Sequence, residues 1–259
     1  MTVRLHLAVD GPQDAPTLLL GSSLGTAAAM WEPQIPALAE RFRVVRYDHL
    51  GHGRSATPPG PYTMDLLGRE LLRTLDDLDV PWVHYAGLSL GGMVGMWLAA
   101  HAPHRVRRMV LLCTSASLGP PEQWHERAAT VRAAGLPTIA DAVVARWFTP
   151  AFATTRPDVV AAHRAMLTAI PPDGYAACCE AIAAMDLRPA LGRITAPTLV
   201  VAGADDRATP VDHAREIVGG IAGARLVVVG PAAHLANVEQ PEQVGRLLLE
   251  HLHEEPGAR

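Results

Sequence analysis

The sequence turns from a strand into a helix within residues 83–91, which read Val-His-Tyr-Ala-Gly-Leu-Ser-Leu-Gly. The apolar start of this stretch predicts a buried strand, and a helical pattern begins at Leu90. Glycine stands at Gly87 and Gly91, the two positions where a side chain would collide with neighbouring backbone. A turn this tight strains the backbone of Ser89 and exposes its hydroxyl above the sheet. Ser89 is therefore a candidate nucleophile, and the alternative is a capping serine in an ordinary glycine-rich turn.

On both sides of this turn, short apolar runs alternate with longer helical patterns, as is typical of a parallel sheet covered by helices. Several runs consist almost entirely of Val and Leu, as expected of strands whose two faces are both buried. We predict an α/β fold with a mostly parallel sheet flanked by helices. The predicted strands are residues 3–9, 17–20, 43–47, 83–86, 109–113, 198–202 and 225–229. The predicted helices of this framework are residues 30–40, 64–78, 90–100, 212–219 and 241–253.

The alternation of strands and helices stops between residues 117 and 193. This interval is rich in alanine, helical in pattern and punctuated by prolines, and it contains no run that looks like a strand. We interpret residues 117–193 as a helical cap inserted at one end of the sheet. Residues 1–116 and 194–259 then form the core domain together, and residues 254–259 have the composition of a frayed tail.

The composition excludes several classes of function. The 22 basic residues are all arginines and 26 residues are acidic, which gives a formal net charge of −4. A chain without lysine lacks both Schiff-base chemistry and the usual phosphate-loop lysine. Dispersed arginines in an acidic chain also argue against nucleic-acid binding. The three cysteines have no metal-ligand spacing, so we expect no disulfide framework, no metal site and no cofactor.

The hydropathy pattern argues against a membrane protein. No apolar run approaches the ~20 residues that a membrane span requires. The first ten residues lack the charged start and apolar block of a secretory signal. We therefore expect a cytoplasmic protein whose partner is a small molecule rather than a membrane.

A serine hydroxyl needs a neighbouring base to remove its proton, and two later loops supply a base and an acid. His234 follows the predicted strand at residues 225–229 and precedes a helix, which makes it the preferred general base among the twelve histidines. Asp206 follows the predicted strand at residues 198–202 and is the preferred orienting acid. Its neighbour Asp205 is the alternative acid. If Asp206 is the acid, Asp205 can instead cap or brace the turn, as aspartates in loops usually do.

Five further stretches of sequence are informative, namely residues 21–26 (GSSLGT), 30–34 (MWEPQ), 90–95 (LGGMVG), 112–116 (LCTSA) and 146–150 (RWFTP). With these motifs and the candidate catalytic residues, the sequence resembles the α/β-hydrolase superfamily over nearly its full length and, more narrowly, the 3-oxoadipate enol-lactonases. Residues 51–53, Gly-His-Gly, match the superfamily, and we interpret them as a tight turn rather than as the site of the base. Leu50 departs from the family pattern, because many relatives carry Arg there. The five stretches are the matches to the lactonases in particular.

The resemblance implies a mechanism for the hydrolysis of a carboxylated enol lactone. Ser89 attacks the carbonyl, His234 accepts the proton, and Asp206 stabilises the resulting imidazolium. The amides of Leu90 and Ser23 are expected to hold the oxyanion. Ring opening passes through an acyl-enzyme and gives a product that tautomerises to the 3-oxo acid, and this chemistry needs neither a metal nor an organic cofactor.

The expected substrate also carries a free carboxylate, whose burial requires a cation, and arginine has to supply that cation here. The cap interval supplies Arg127, Arg132, Arg146, Arg156, Arg164 and Arg188 as candidates, and we expect most of them to form surface ion pairs of little energetic value. Trp124 and Arg127 are expected to contact substrate, because they lie three residues apart on one face of a predicted helix. Arg146 and Trp147 are further candidates, with a purely structural place inside the cap as the alternative.

Two other interpretations stay open from the sequence. The same catalytic residues serve carboxylesterases, other lactonases and cofactor-free perhydrolases, so only the chemistry of the pocket separates these activities. A ligand receptor built on a hydrolase fold is the third interpretation. Such receptors often lack one of the three catalytic residues, whereas this chain has candidates for all of them.

Overall fold

The computed structural model describes residues 4–253, within which seven strands form a single sheet. The order of strands across the sheet is β1-β3-β2-β4-β5-β6-β7, with β1 antiparallel to its neighbour and the others parallel. This architecture confirms the predicted α/β fold class. In chain order the strands are β1 Leu7–Asp10, β2 Thr17–Gly21, β3 Arg43–Tyr47, β4 Val83–Leu88, β5 Val106–Leu112, β6 Thr198–Gly203 and β7 Arg225–Val229.

The first strand begins later than the sequence predicts. Residues 4–6 lie beside the loop at residues 48–56, where the His6 amide donates to Ser55 Oγ over 2.8 Å and the His6 carbonyl accepts from Asp48. The ladder with β3 therefore starts only at Leu7. Residue 3, at the start of the predicted strand, and the predicted tail at residues 254–259 lie outside the described residues.

Helices lie between most of the successive strands, and a run of helices occupies the interval between β5 and β6. Short 3₁₀ helices lie at Ala28–Gln34, Pro103–Arg105 and Arg188–Arg193. The α-helices before β6 are α1 Ile35–Leu38, α2 Met64–Asp77, α3 Leu90–His101, α4 Pro121–Ala134, α5 Pro137–Trp147, α6 Pro150–Thr155, α7 Pro157–Thr168 and α8 Pro172–Ala183. Those after β6 are α9 Val211–Gly220, α10 Ala236–Glu239 and α11 Pro241–His253.

The central helix α3 packs closely against the sheet because it is apolar on every side. Each of its residues from Leu90 to Ala100 is buried. A Cβ atom on Gly91 would lie 2.3 Å from the carbonyl carbon and oxygen of Gly21 at the end of β2. Glycine at this position therefore brings the start of α3 and the loop after β2 into direct backbone contact.

The helical insertion leaves and re-enters the core at adjacent points. Ser117 and Asp186 form an isolated antiparallel bridge, and the Leu187 amide donates to the Ala116 carbonyl over 2.8 Å. Within the insertion, α4 packs against α8 and α5 packs against α7. The 3₁₀ helix Arg188–Arg193 instead packs against α3 and α9 of the core. The interval 117–193 therefore ends with a short piece that contacts the core.

Candidate active site

Ser89 lies at the tight turn between β4 and α3 with a backbone φ of +56°, a conformation that residues other than glycine rarely adopt. Two neighbours hold it there. The Ser89 amide donates to the Leu112 carbonyl over 3.0 Å, and the hydroxyl of Thr114 donates to the Ser89 carbonyl over 2.7 Å. The turn needs glycine, because a Cβ on Gly87 would lie 2.4 Å from the backbone of Gly91. The strained turn thus directs Ser89 into a cavity above the sheet.

Asp206 and His234 are brought together by the loops that follow β6 and β7. Asp206 Oδ2 lies 2.9 Å from Nδ1 of His234. The same oxygen accepts from the hydroxyl of Thr209 over 2.7 Å, while Oδ1 accepts from the amides of Ala208 and Thr209. This arrangement orients the imidazole with Nδ1–H toward the carboxylate, which leaves Nε2 available to the cavity that Ser89 also lines.

The surroundings of Asp206 favour its charged form. Burial raises the pKa of the carboxyl. His234 and the hydrogen bonds from Thr209 together lower it by more than burial raises it, so the pKa lies below its ordinary value. A carboxylate in this position stabilises an imidazolium on His234. Asp205, the alternative acid, is exposed, and its amide donates to the Ala232 carbonyl. Of the two aspartates, the structure brings Asp206 to the histidine.

Two amides near Ser89 are free to hold an oxyanion, and they differ in part from those expected. Leu90 is the first residue of α3, so its N–H has no acceptor within the helix. The Ser23 amide, expected as the second donor, already donates to Met30 Sδ over 3.3 Å. The next amide, that of Leu24, has no acceptor among residues 4–253, and Leu24 lines the cavity. We therefore replace Ser23 by Leu24 as the candidate donor.

Two buried histidines support this loop from behind. Nε2 of His49 donates to the Ser22 carbonyl over 2.8 Å, whereas Nε2 of His52 accepts from the Gly25 amide over 3.0 Å. Burial lowers the pKa of His49 to about 3 and that of His52 to about 4, so both rings are neutral at pH 7. His52 therefore holds the backbone of the loop at residues 22–25.

The cavity next to Ser89 has a volume of about 310 Å³ and lies between the core loops and the helical insertion. Ser89, Thr209 and His234 contribute from the core. The insertion contributes all four of the residues that the sequence suggested as substrate contacts, namely Trp124 and Arg127 of α4 and Arg146 and Trp147 of α5.

Arg127 and Arg146 have no carboxylate partner within residues 4–253, unlike four other arginines of the insertion. The Arg127 guanidinium lies 4.6 Å from the centre of the Trp124 ring. Partial burial and the positive charge of Arg127 lower the pKa of Arg146. The side of the cavity that the insertion supplies therefore carries two positive charges without a carboxylate partner among residues 4–253. The paired arginines are Arg132 with Glu180, Arg156 with Asp158, Arg164 with Asp141 and Arg188 with Asp186.

Several residues of the cavity escaped the sequence analysis. Tyr175 of α8 is fully buried beside Arg127, and burial raises the pKa of its hydroxyl. Arg207 and His213 line the same cavity from the loop after β6 and from α9. Arg207 directly follows Asp206, which was a usable signal. Nothing in the sequence marked Tyr175 or His213, because both lie in ordinary helical patterns.

The described residues hold no candidate metal site and no helix that could cross a membrane. Within residues 4–253, no group of three or more His, Cys, Asp or Glu side chains is placed to bind a metal ion. None of the helices there is both long and apolar enough to span a bilayer.

Comparisons with known proteins agree with this geometry. A family model of the alpha/beta hydrolase fold matches residues 16–241. 3-Oxoadipate enol-lactonase 2 of Acinetobacter baylyi is 41% identical over 240 residues, which cover 93% of this chain and 90% of that protein. A putative carbamate hydrolase, RutD, of Stutzerimonas stutzeri is 33% identical and covers 94% of each chain. The crystal structure of the enol-lactonase from Burkholderia xenovorans superposes with a TM-score of 0.94 at 41% identity, covering 96% of both chains.

Proposed function

Because the chain belongs to the α/β-hydrolase fold family and, within it, to the 3-oxoadipate enol-lactonases, we propose that it opens 3-oxoadipate enol-lactone to 3-oxoadipate, a step in aromatic catabolism. The chain is a carboxylic ester hydrolase. The proposal adds the substrate, the serine nucleophile and an acyl-enzyme. The observation that carries it is the pair of arginines, Arg127 and Arg146, which line the same cavity as Ser89 and have no carboxylate partner among the described residues 4–253.

In the proposed reaction, Ser89 Oγ attacks the lactone carbonyl while Nε2 of His234 takes its proton. Asp206 holds the imidazole in the required tautomer and stabilises its positive charge. The oxyanion of the tetrahedral intermediate accepts from the amides of Leu90 and Leu24. Each such donor contributes about 3–4 kcal/mol to stabilising the transition state in comparable enzymes.

Collapse of this intermediate breaks the ring C–O bond, and His234 returns the proton to the enol oxygen. An enol is a better leaving group than a simple alkoxide, and it stays tethered to the acyl group on Ser89. Water, activated by His234, then hydrolyses the acyl-enzyme and releases the diacid in its enol form. Tautomerisation to the 3-oxo acid makes the overall reaction effectively one-way.

Two further features support a substrate that carries a carboxylate. A guanidinium binds a carboxylate through parallel hydrogen bonds, and Arg127 is oriented by its contact with Trp124. The aromatic side chains of Trp147 and Tyr175 line the cavity beside the two arginines. We propose that the substrate carboxylate binds at Arg127 and Arg146, and that residues 117–193 act as the cap which supplies this end of the pocket.

Arg127→Ala tests the carboxylate site. We expect KM for the carboxylated lactone to rise by about 10- to 100-fold, the effect of losing a hydrogen bond to a charged group, while KM for p-nitrophenyl acetate stays nearly constant. Arg164→Ala is the matched control, because Arg164 pairs with Asp141 on the surface of the same cap. Initial rates over a range of substrate concentrations measure both. An unchanged KM for the carboxylated lactone in Arg127→Ala would remove Arg127 from the pocket.

A second candidate function is hydrolysis of another small ester, lactone or carbamate. The observation in its favour is the group of carbamate hydrolase relatives, which match this chain over nearly its whole length. Rates on enol lactones with and without the carboxymethyl arm, beside p-nitrophenyl acetate, separate the candidates. Equal rates on all three substrates would reject the lactonase proposal and leave a general esterase. A single turnover that leaves a stable adduct would indicate a ligand receptor instead.

A further inference from the structure

Glu239 carries a buried carboxylate that belongs to neither the triad nor the substrate wall. It lies on α10, five residues after His234, and is 8% exposed. Its oxygens accept from the Ala233 amide over 2.7 Å and from the hydroxyl of Thr149 over 2.6 Å, with the Thr149 amide 3.2 Å from both. Within residues 4–253 no arginine or histidine forms an ion pair with it. Its charge is therefore stabilised by donors from two separate parts of the chain.

One of these parts is the loop that carries His234, and the other is the end of α5 in the cap. A further hydrogen bond joins them, because the Leu235 amide donates to the Trp147 carbonyl over 2.9 Å. The backbone N–H groups of the residues before and after His234 therefore both donate hydrogen bonds. The amide before it is held by Glu239, and the amide after it is held by the cap.

We propose that Glu239 is a positioning residue that fixes the loop of His234 and residues 147–149 of the cap to each other. The base and the Arg146–Trp147 wall then move as one unit, so that the substrate carboxylate and the scissile carbonyl are placed by the same contacts. This inference rests on the proposed function for the identity of the base and of the substrate wall.

Glu239→Gln tests the part of this proposal that concerns the base. The glutamine keeps the size of the side chain, but its NH₂ group faces donors where a carboxylate oxygen accepted. We expect kcat to fall at least about tenfold on both p-nitrophenyl acetate and the lactone. The free energy of one hydrogen bond to a charged group corresponds to a factor of about that size. Glu242→Gln, a change at an exposed acid on the neighbouring helix, is the matched control with unchanged kcat.

Thr149→Val tests the part that concerns the cap, because it removes the hydroxyl while the bond between Glu239 and the Ala233 amide remains. We expect KM for the lactone to rise several-fold more than KM for p-nitrophenyl acetate. Thr149→Ser restores the hydroxyl and should restore KM. Thr154→Val is the control, since that exposed hydroxyl donates to the Pro150 carbonyl of its own helix and has no other hydrogen-bond partner among residues 4–253.

Thermal unfolding of every variant separates positioning from simple stability. Lower melting temperatures with wild-type kcat and KM at 25 °C would overturn the proposal, as would failure of Thr149→Ser to restore KM. The proposed substrate fails separately, if the wild-type protein cleaves p-nitrophenyl acetate but not the lactone. In that case the fall in kcat of Glu239→Gln on the ester still tests the link between Glu239 and the base.

Discussion

At the scale of single residues, Asp206 and Asp205 have the same side chain and different surroundings. Asp206 is buried and accepts four hydrogen bonds, one of them from His234, whereas Asp205 is exposed. We expect Asp206→Asn to lower kcat by about 10⁴-fold, because the wrong imidazole tautomer is then favoured. Asp205→Asn should leave kcat nearly unchanged. Rates on p-nitrophenyl acetate measure both, and the reverse ranking would move the acid to Asp205.

His52 makes the stability of the protein depend on pH. Burial lowers its pKa from 6.5 to about 4, so the unfolded chain binds a proton at a higher pH than the folded protein does. The contribution of neutral His52 is fully present above pH 6.5 and is lost as the pH falls toward 4. The expected loss in the free energy of unfolding is about 3 kcal/mol over this range.

His52→Gln is the variant that checks this dependence, because Gln offers an oxygen acceptor to the Gly25 amide and does not titrate. Urea unfolding at pH 7 and at pH 4.5 should show a smaller difference for His52→Gln than for the wild-type protein. Identical pH dependence of the two proteins would contradict the assignment to His52.

The residues that the sequence could identify are those whose role depends on local backbone geometry. Ser89 stands in a turn that only glycine neighbours permit, and His234 lies in the short loop between β7 and α10. The choice between Ser23 and Leu24 as oxyanion donor depends instead on the distant side chain of Met30. No local pattern reveals which of two successive amides such a contact occupies.

At the scale of elements, prolines explain where a predicted helix failed. The helical pattern at residues 30–40 folds as the 3₁₀ helix Ala28–Gln34 followed by the four-residue α1. Pro33 lies inside the first of these and Pro36 at the start of the second, and each lacks an N–H donor and crowds the preceding turn. The helix at residues 241–253 has no internal proline and matches α11. Periodicity was thus reliable where the backbone could make every hydrogen bond.

Two glycines in helices should respond in opposite ways to alanine. In Gly91→Ala the new Cβ would overlap the Gly21 backbone, so we expect a loss of at least about 2 kcal/mol in the free energy of unfolding. At Gly245 of α11 a Cβ meets no atom within 4 Å, so Gly245→Ala should gain about 0.5–1 kcal/mol from the higher helix propensity of alanine. Urea denaturation measures both changes. Equal effects at the two sites would show that backbone contact does not govern Gly91.

At the scale of the whole molecule, the sequence predicted that the interval between β5 and β6 is helical but not how its helices pack. Its alanine-rich helices have weak apolar faces, and their packing is decided by contacts with one another and with the core. The same limit applies to charge. Arg132 and Arg127 have similar neighbours in sequence, yet one pairs with Glu180 and the other lies in the cavity over Trp124. Only the three-dimensional arrangement distinguishes the surface arginines from those of the pocket.

The bridge between Ser117 and Asp186 has a consequence for how this enzyme can diversify. The polypeptide leaves the sheet and returns to it at neighbouring points, so a different helical segment can take the place of the cap without moving the strands. Exchange of this segment can then change the substrate preference while the proposed chemistry at Ser89 stays the same. The segment at residues 147–149 limits this exchange, because any replacement has to form the same hydrogen bonds with Glu239 and with the loop of His234. Cap libraries for new substrate specificities should therefore vary the insertion on either side of those three residues and keep them.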